Sequence, residues 1–149
     1  MGRMNKKGRS AHEPYIRLHR GVTNSEAWRS LSCRARALLI AIWSRHNGQN
    51  NGRISFSSRE ARENMRSGSI QTQKAFEDLQ ERGFLILRTP GSFHVKSDAG
   101  AGRASEWELT TETCDGYPAK RNYRKWKKNT VTASVTVANG RGNRSPSAN

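Results

Sequence analysis

Residues 67–88 read SGSIQTQKAFEDLQERGFLILR, and their reading decides the fold. Thr72, Ala75, Phe76 and Leu79 recur at i, i+3, i+4 and i+7, which is one buried stripe of a helix. Ser67 or Ser69 is the candidate N-cap. Gly83 stands where a left-handed glycine ends a helix, so the helix covers about 69–82. The apolar run FLILRT (84–89) then reads as a buried strand. The stripe leaves Ile70, Gln71, Gln73, Lys74 and Glu77 outward or flanking it. That face has one lysine and no arginine, in a chain of formal net charge +15.

Upstream, SSRE (57–60) is a capping box, so a helix starts at Ser58, buries Ala61 and Met65, and ends near Arg66. RISF (53–56) alternates and is too short for a helix; it reads as a brief strand with Ile54 and Phe56 inward. The two Asn-Gly steps of HNGQNNGR (46–53) are turn signals. Before them lies the strongest helix in the chain, 33–46, capped by Ser32. Its stripe is Ala35, Leu38, Leu39, Ile42 and Trp43, with Arg34, Arg36 and Arg45 opposite. TNSEAWRSLS (23–32) gives a two-turn helix capped by Asn24 or Ser25. PYIRLHRGV (14–22) reads as a short strand through Tyr15, Ile16, Leu18 and Val22.

Downstream, PGSFHVKSDAGAGRAS (90–105) is a long glycine-rich loop, which points to a functional excursion. EWELTTE (106–112) alternates, with Trp107 and Leu109 on one face and Glu106 and Glu108 on the solvent face. The two strands around the loop make a β-hairpin. KRNYRKWKK (120–128) interleaves six Lys/Arg with Tyr123 and Trp126. Trp126 is expected to dock on the domain while the cations meet phosphates. VTASVTV (131–137) alternates but has no visible partner, and it is read as disordered with the rest of the tail.

Charge sorts the same segments. Residues 1–20 carry six Lys/Arg and one acid, 21–112 thirteen and ten, and 113–149 eight and one. A nearly balanced domain is thus flanked by two basic arms, the usual sign of a nucleic-acid partner. Hydrophobic residues are 33% of the chain, against about 45–50% for an ordinary globular one, so the folded part is smaller than the whole. The longest apolar run, ALLIAIW (37–43), falls far short of a membrane span, and no secretory or lipid-anchor signal is visible; a cytoplasmic location is expected. Cys33 and Cys114 are distant from each other, and His12, His19, His46 and His94 are scattered, so no metal site is expected. No phosphate-binding glycine loop, nucleophile elbow or metalloprotease motif occurs. We expect neither catalysis nor a cofactor.

Three of these four helices, with the hairpin, give an α+β fold, the layout of a winged helix. The expected core is Trp28, Leu31, Leu38, Leu39, Ile42, Trp43, Ile54, Phe56, Ala61, Met65, Ala75, Phe76, Leu79, Phe84, Ile86, Trp107 and Leu109. The organisation reads as a disordered arm over 1–13, a domain over 14–112, a basic-aromatic extension over 113–128 and a disordered tail over 129–149.

AFEDLQERGFLILR (75–88) resembles the recognition-helix end of bacterial winged helix regulators, with Phe76, Leu79, Gly83 and Phe84 in the pattern. SEAWRSLSCRARALLIAIWSRHNGQNNGRISFSSREA (25–61) and ASEWELT (104–110) resemble helix-turn-helix proteins of bacterial phages, plasmids and integrated elements, some of them described as replication initiators. The resemblance spans 15–126. Thr72 stands where many such proteins carry an aliphatic residue. The resemblance implies double-stranded DNA as partner, in replication initiation or related DNA processing, with transcriptional regulation as the alternative. Replication or transcription machinery and a second copy of the chain are compatible partners; a membrane is not expected.

The residue types on the outward helix face suit base readout. Gln71 and Gln73 can pair bidentately with adenine, Lys74 can meet guanine acceptors, and Ile70 can pack on a thymine methyl. Candidate phosphate contacts are Arg59, Arg62 and Arg66 on one face of the preceding helix, Ser69 at the helix start and Lys96 and Arg103 by the loop. Arg124, Lys125, Lys127 and Lys128 add to these in the extension. Basic arms alone do not separate DNA from RNA, so a basic RNA-binding protein is a further alternative, as is a non-specific packaging protein.

Overall fold

The computed structural model describes residues 15–92 and 102–129. The expectations for the arm over 1–13, for Lys96 and for the tail beyond 129 lie outside the described residues.

Residues 15–19 form no strand, contrary to the sequence reading. They lead into a single helical turn, α1 (Arg20–Thr23). The amides of Val22 and Thr23 both bond His19 O, which closes the turn and buries Val22; among the described residues no strand pairs with this segment. Serine caps then set the next elements. Ser25 Oγ accepts from the Trp28 amide at 3.2 Å to open α2 (Glu26–Ser30). Ser32 Oγ accepts from the Ala35 amide at 3.2 Å to open α3 (Cys33–Trp43), whose buried residues are the five of the expected stripe. Such a cap is worth about 1 kcal/mol.

The strand β1 (Ile54–Ser55) buries Ile54 and leads to Phe56, also buried. The capping box forms as read. Ser57 Oγ accepts from the Glu60 amide at 3.2 Å, and Glu60 Oε2 accepts from the Ser57 amide at 2.8 Å, opening α4 (Ser58–Met65). Arg45 ties this corner together. It donates to Ser55 O and to Glu60 Oε1, each at 2.8 Å, with its guanidinium 4.6 Å from the Phe56 ring centroid.

The next helix, α5 (Ser69–Glu81), buries Thr72, Ala75, Phe76 and Leu79. Its N-cap is Gly68, with no side-chain cap, rather than Ser67 or Ser69. The chain leaves α4 through Arg66 in the left-handed region (φ 48°), and this turn brings glycine, not serine, to the cap position. The other end is a Schellman turn. Phe84 N bonds Leu79 O at 2.9 Å, Gly83 N bonds Gln80 O at 3.0 Å, and Gly83 has φ +75°. A Cβ on Gly83 would meet Asn122 and Tyr123 backbone atoms at 2.9 Å, so both conformation and space demand glycine.

Two further strands, β2 (Leu85–Thr89) and β3 (Glu106–Leu109), complete an antiparallel sheet of order β1-β3-β2. Leu85 pairs with Leu109, Ile86 with Glu108 and Leu87 with Trp107. Directly opposed residues share a face, so this register turns Leu85, not Ile86, to the core. The bridge Ser92↔Arg103 carries the hairpin beyond the strands and narrows the expected sixteen-residue loop.

Helices α3, α4 and α5 pack on one another, and α5 packs on β2. Leu38, Leu39, Ile42, Ile54, Leu79, Phe84, Leu85 and Leu109 are almost wholly buried. Two buried polar groups are well supplied. Asn51 Oδ1 accepts from the Leu109 amide at 2.7 Å, and its Nδ2 donates to the Leu109, Glu112 and Thr113 carbonyls. Glu108, expected in solvent, is 1% exposed between Arg88 and Lys120, because residues beyond 112 fold back over that face. The basic-aromatic extension joins the same core. It contains a 3-10 turn (Asn122–Arg124) with Tyr123 buried, so no structural break follows residue 112.

Candidate nucleic-acid interface

The turn between α4 and α5 sets what the second helix presents. Thr72 is 1% exposed, and its Oγ1 donates to Gly68 O at 2.9 Å. That bond satisfies the hydroxyl locally, so a threonine can occupy a stripe position otherwise suited to an aliphatic residue. With the stripe fixed, Ile70, Gln71, Gln73 and Lys74 all face solvent, Ile70 being 81% exposed. A large aliphatic left this open, in the first turn of a helix without a side-chain cap, has no packing role within the domain. Gln73 Nε2 donates to Glu77 Oε1 at 2.9 Å, which orients the amide. The first amides of α5 lack a side-chain cap and lie at the positive end of the helix dipole.

Arg59, Arg62 and Arg66 are all exposed on α4 and its C-cap and line one shallow depression with Ser67. Arg59 pairs with Glu63 at 3.1 Å, but both side chains are mostly in water, so the pair holds it weakly. Among the described residues Arg62 and Arg66 make no ion pair. A groove of about 330 Å³ runs between α5 and β3, lined by Arg62, Ser69, Gln73, Glu77, Ser105 and Trp107. It shows that the start of α5, the α4 arginines and the open end of the hairpin share one side of the molecule. Arg103 belongs to that end. Its backbone exchanges hydrogen bonds with Ser92 at 2.9 and 3.1 Å while its side chain is exposed.

The other candidate cations lie elsewhere. Tyr123 stacks on Phe84, and Trp126 packs against the core with the Arg82 guanidinium 5.2 Å from its ring centroid. These contacts hold Arg124, Lys125, Lys127 and Lys128 at the C-terminal end of α5 and beside α2. Lys127 Nζ lies 3.6 Å from Glu26, and the Lys128 amide donates to the same carboxylate at 3.0 Å. The structure therefore gathers Ile70, Gln71, Gln73, Lys74 and Ser69 with Arg59, Arg62 and Arg66 at one end, with Arg103 two residues before the groove-lining Ser105, and the extension's cations at the other.

Sequence reasoning did not single out Ser105 or Trp107 as neighbours of α5. Their place follows from long-range pairing: Ile54 opposes Trp107, and the Phe56 amide bonds Ser105 O at 2.9 Å. No local pattern carries that information. Phe76 also stacks on Trp107, with ring centroids 4.8 Å apart, which fixes α5 against β3.

Among the described residues no three His, Cys, Asp or Glu side chains stand together as a metal site, and no helix is long and apolar enough to cross a membrane. The buried Cys114 thiol donates to Asn51 O at 3.3 Å. Burial pushes its pKa up, and the neighbouring Glu108 and Asp115 carboxylates push the same way. No family model, curated protein or solved structure matches the chain.

Proposed function

We propose that this domain is a winged helix that binds double-stranded DNA, with α5 as the recognition helix. One observation carries the reading. The exposed start of α5 bears readout side chains and little charge, while Arg59, Arg62 and Arg66 flank it and Arg103 lies two residues before the groove-lining Ser105. A dense cationic helix would grip any sequence alike; a nearly neutral face beside separate phosphate contacts suits sequence readout.

In this mechanism the N-terminal half of α5 enters the major groove. Gln71 and Gln73 meet adenine edges, Lys74 a guanine, and Ile70 a thymine methyl. The α4 arginines hold one backbone, the Ser69 end of α5 offers amides to a phosphate, and the hairpin with Arg103 grips a neighbouring stretch. Duplex RNA fits this face poorly, because its deep, narrow major groove does not admit a helix.

The biological setting we propose is replication initiation or related DNA processing, with transcriptional regulation as the alternative. Affinity confined to a repeated origin site would favour the first; a site overlapping a promoter would favour the second. The testing experiment is selection from a random duplex pool, followed by competition of the selected duplex against duplex RNA of the same length. A defined motif with DNA preferred supports the reading. No motif, or equal competition by RNA, contradicts it.

A further inference from the structure

The domain has two basic ends, and the contacts separate them. At one end lie the start of α5, Arg62 and Ser105. At the other, Thr110 Oγ1 donates to Gly83 O at 2.6 Å, Thr110 O accepts from the Arg121 amide at 2.8 Å, and Gly83 abuts Asn122 and Tyr123. The 13 residues of α5 span the distance, which puts the two ends about 18 Å apart along the helix axis.

Arg29, Arg121, Arg124, Lys125, Lys127 and Lys128 are all exposed at this second end. Arg82 pairs with Asp78 at 3.0 Å and only loosely with Glu81 at 3.7 Å, so two exposed acids, Glu81 and Glu26, stand at this end against six cations. The one ion pair of Glu26 among the described residues is the loose contact with Lys127 at 3.6 Å. A cleft of about 670 Å³ opens between α2 and the extension, with Asn24, Ser25, Arg29, Arg124 and Lys127 on its walls and Glu26 as its one carboxylate. The cations stand on rigid support, since Tyr123 is 3% exposed and Trp126 packs on the core.

We infer that this end is a second polyanion-binding surface and that its occupant is a second DNA duplex, so that one chain bridges two duplex segments. The inference rests on the α5 reading for the first duplex. The major groove is about 8.5 Å deep, so a helix read from its N-terminal half carries its far end, about 18 Å back, clear of that duplex. The chemistry of the surface points to duplex phosphates rather than unpaired bases. Both aromatic rings that would stack on bases are turned inward, and what remains outward is cationic.

The test is the mass of complexes formed by the full chain with an excess of a short selected duplex, measured by sedimentation. We expect two duplexes per chain. The Arg29→Ala, Arg124→Ala, Lys125→Ala triple variant alters exposed side chains only, and unchanged melting checks its fold. It should bind one duplex per chain with its first-duplex affinity retained. One duplex per wild-type chain overturns the inference and leaves the α5 reading intact. Two duplexes on the variant also overturn it, as does displacement of the second duplex by polyglutamate in preference to competitor DNA. If neither chain binds any duplex, the α5 reading fails with it.

Discussion

Phe84 and Tyr123 stack face to face, with ring centroids 5.0 Å apart and planes within 7° of parallel. One residue follows the end of α5 and the other comes from the basic extension. Their contact makes the extension part of the domain. Tyr123→Ala is expected to cost about 3–5 kcal/mol, the usual loss for truncating a buried aromatic. Denaturant unfolding checks this. A loss below about 1 kcal/mol would mean the extension only rests on the surface.

The corner at Ser57 and Glu60 gives a pH-dependent expectation. The Ser57 amide, more than the Arg45 guanidinium, holds the Glu60 carboxyl below its ordinary range. A lowered folded-state value means the carboxylate stabilises the fold above the unfolded value, about 4.3, and the contribution is lost as pH falls through the folded value. Glu60→Gln should therefore lose less stability than the wild type on acidification, with the gap closing at the acid end. Ser57→Ala should cost about 1 kcal/mol at neutral pH. Parallel stability curves for wild type and Glu60→Gln would contradict the assignment.

Glu108 sits 1% exposed between Arg88 and Lys120, each 43% exposed, with Lys120 Nζ at 3.0 Å. The carboxylate also raises the Arg88 pKa. The partners can reach water and Glu108 cannot, so the costs are unequal. Arg88→Ala with Lys120→Ala strands a buried charge and should lower the melting temperature clearly. Glu108→Gln should cost less. The reverse order in thermal melts would show that the carboxylate is not buried as described.

Much of this was legible locally, and the exceptions share a cause. The stripe of α3, the Ser57–Glu60 box and the Gly83 stop depend on residues within one or two turns, and they stand as read. Ile86 was misplaced because strand parity depends on which residue faces Leu109, a choice made across the sheet. Glu108 lies on the face expected of it, and it is buried because residues beyond 112 cover that face. Asn51 reads as a turn residue, yet its side chain binds three carbonyls more than fifty positions away. For the candidate site, the outward face of α5 follows from its stripe. The separation of the extension from that face does not, because it depends on where Tyr123 and Trp126 dock.

The α4 arginines give a salt-dependence expectation. If Arg59, Arg62 and Arg66 each neutralise a phosphate, replacing all three with glutamine should flatten the log-affinity against log-salt slope by up to about 2.7, near 0.9 per contact. The loss should be similar for specific and random duplexes. An unchanged slope would place these side chains away from the backbone.

The central claim is that α5 reads sequence, and the most direct measurement compares Gln73→Ala and Lys74→Ala with wild type on a selected duplex and on a random one at fixed salt. The account expects the selected duplex to lose about 1–3 kcal/mol per bidentate contact removed while the random duplex changes little. Equal losses on the two duplexes, or none on either, would contradict it.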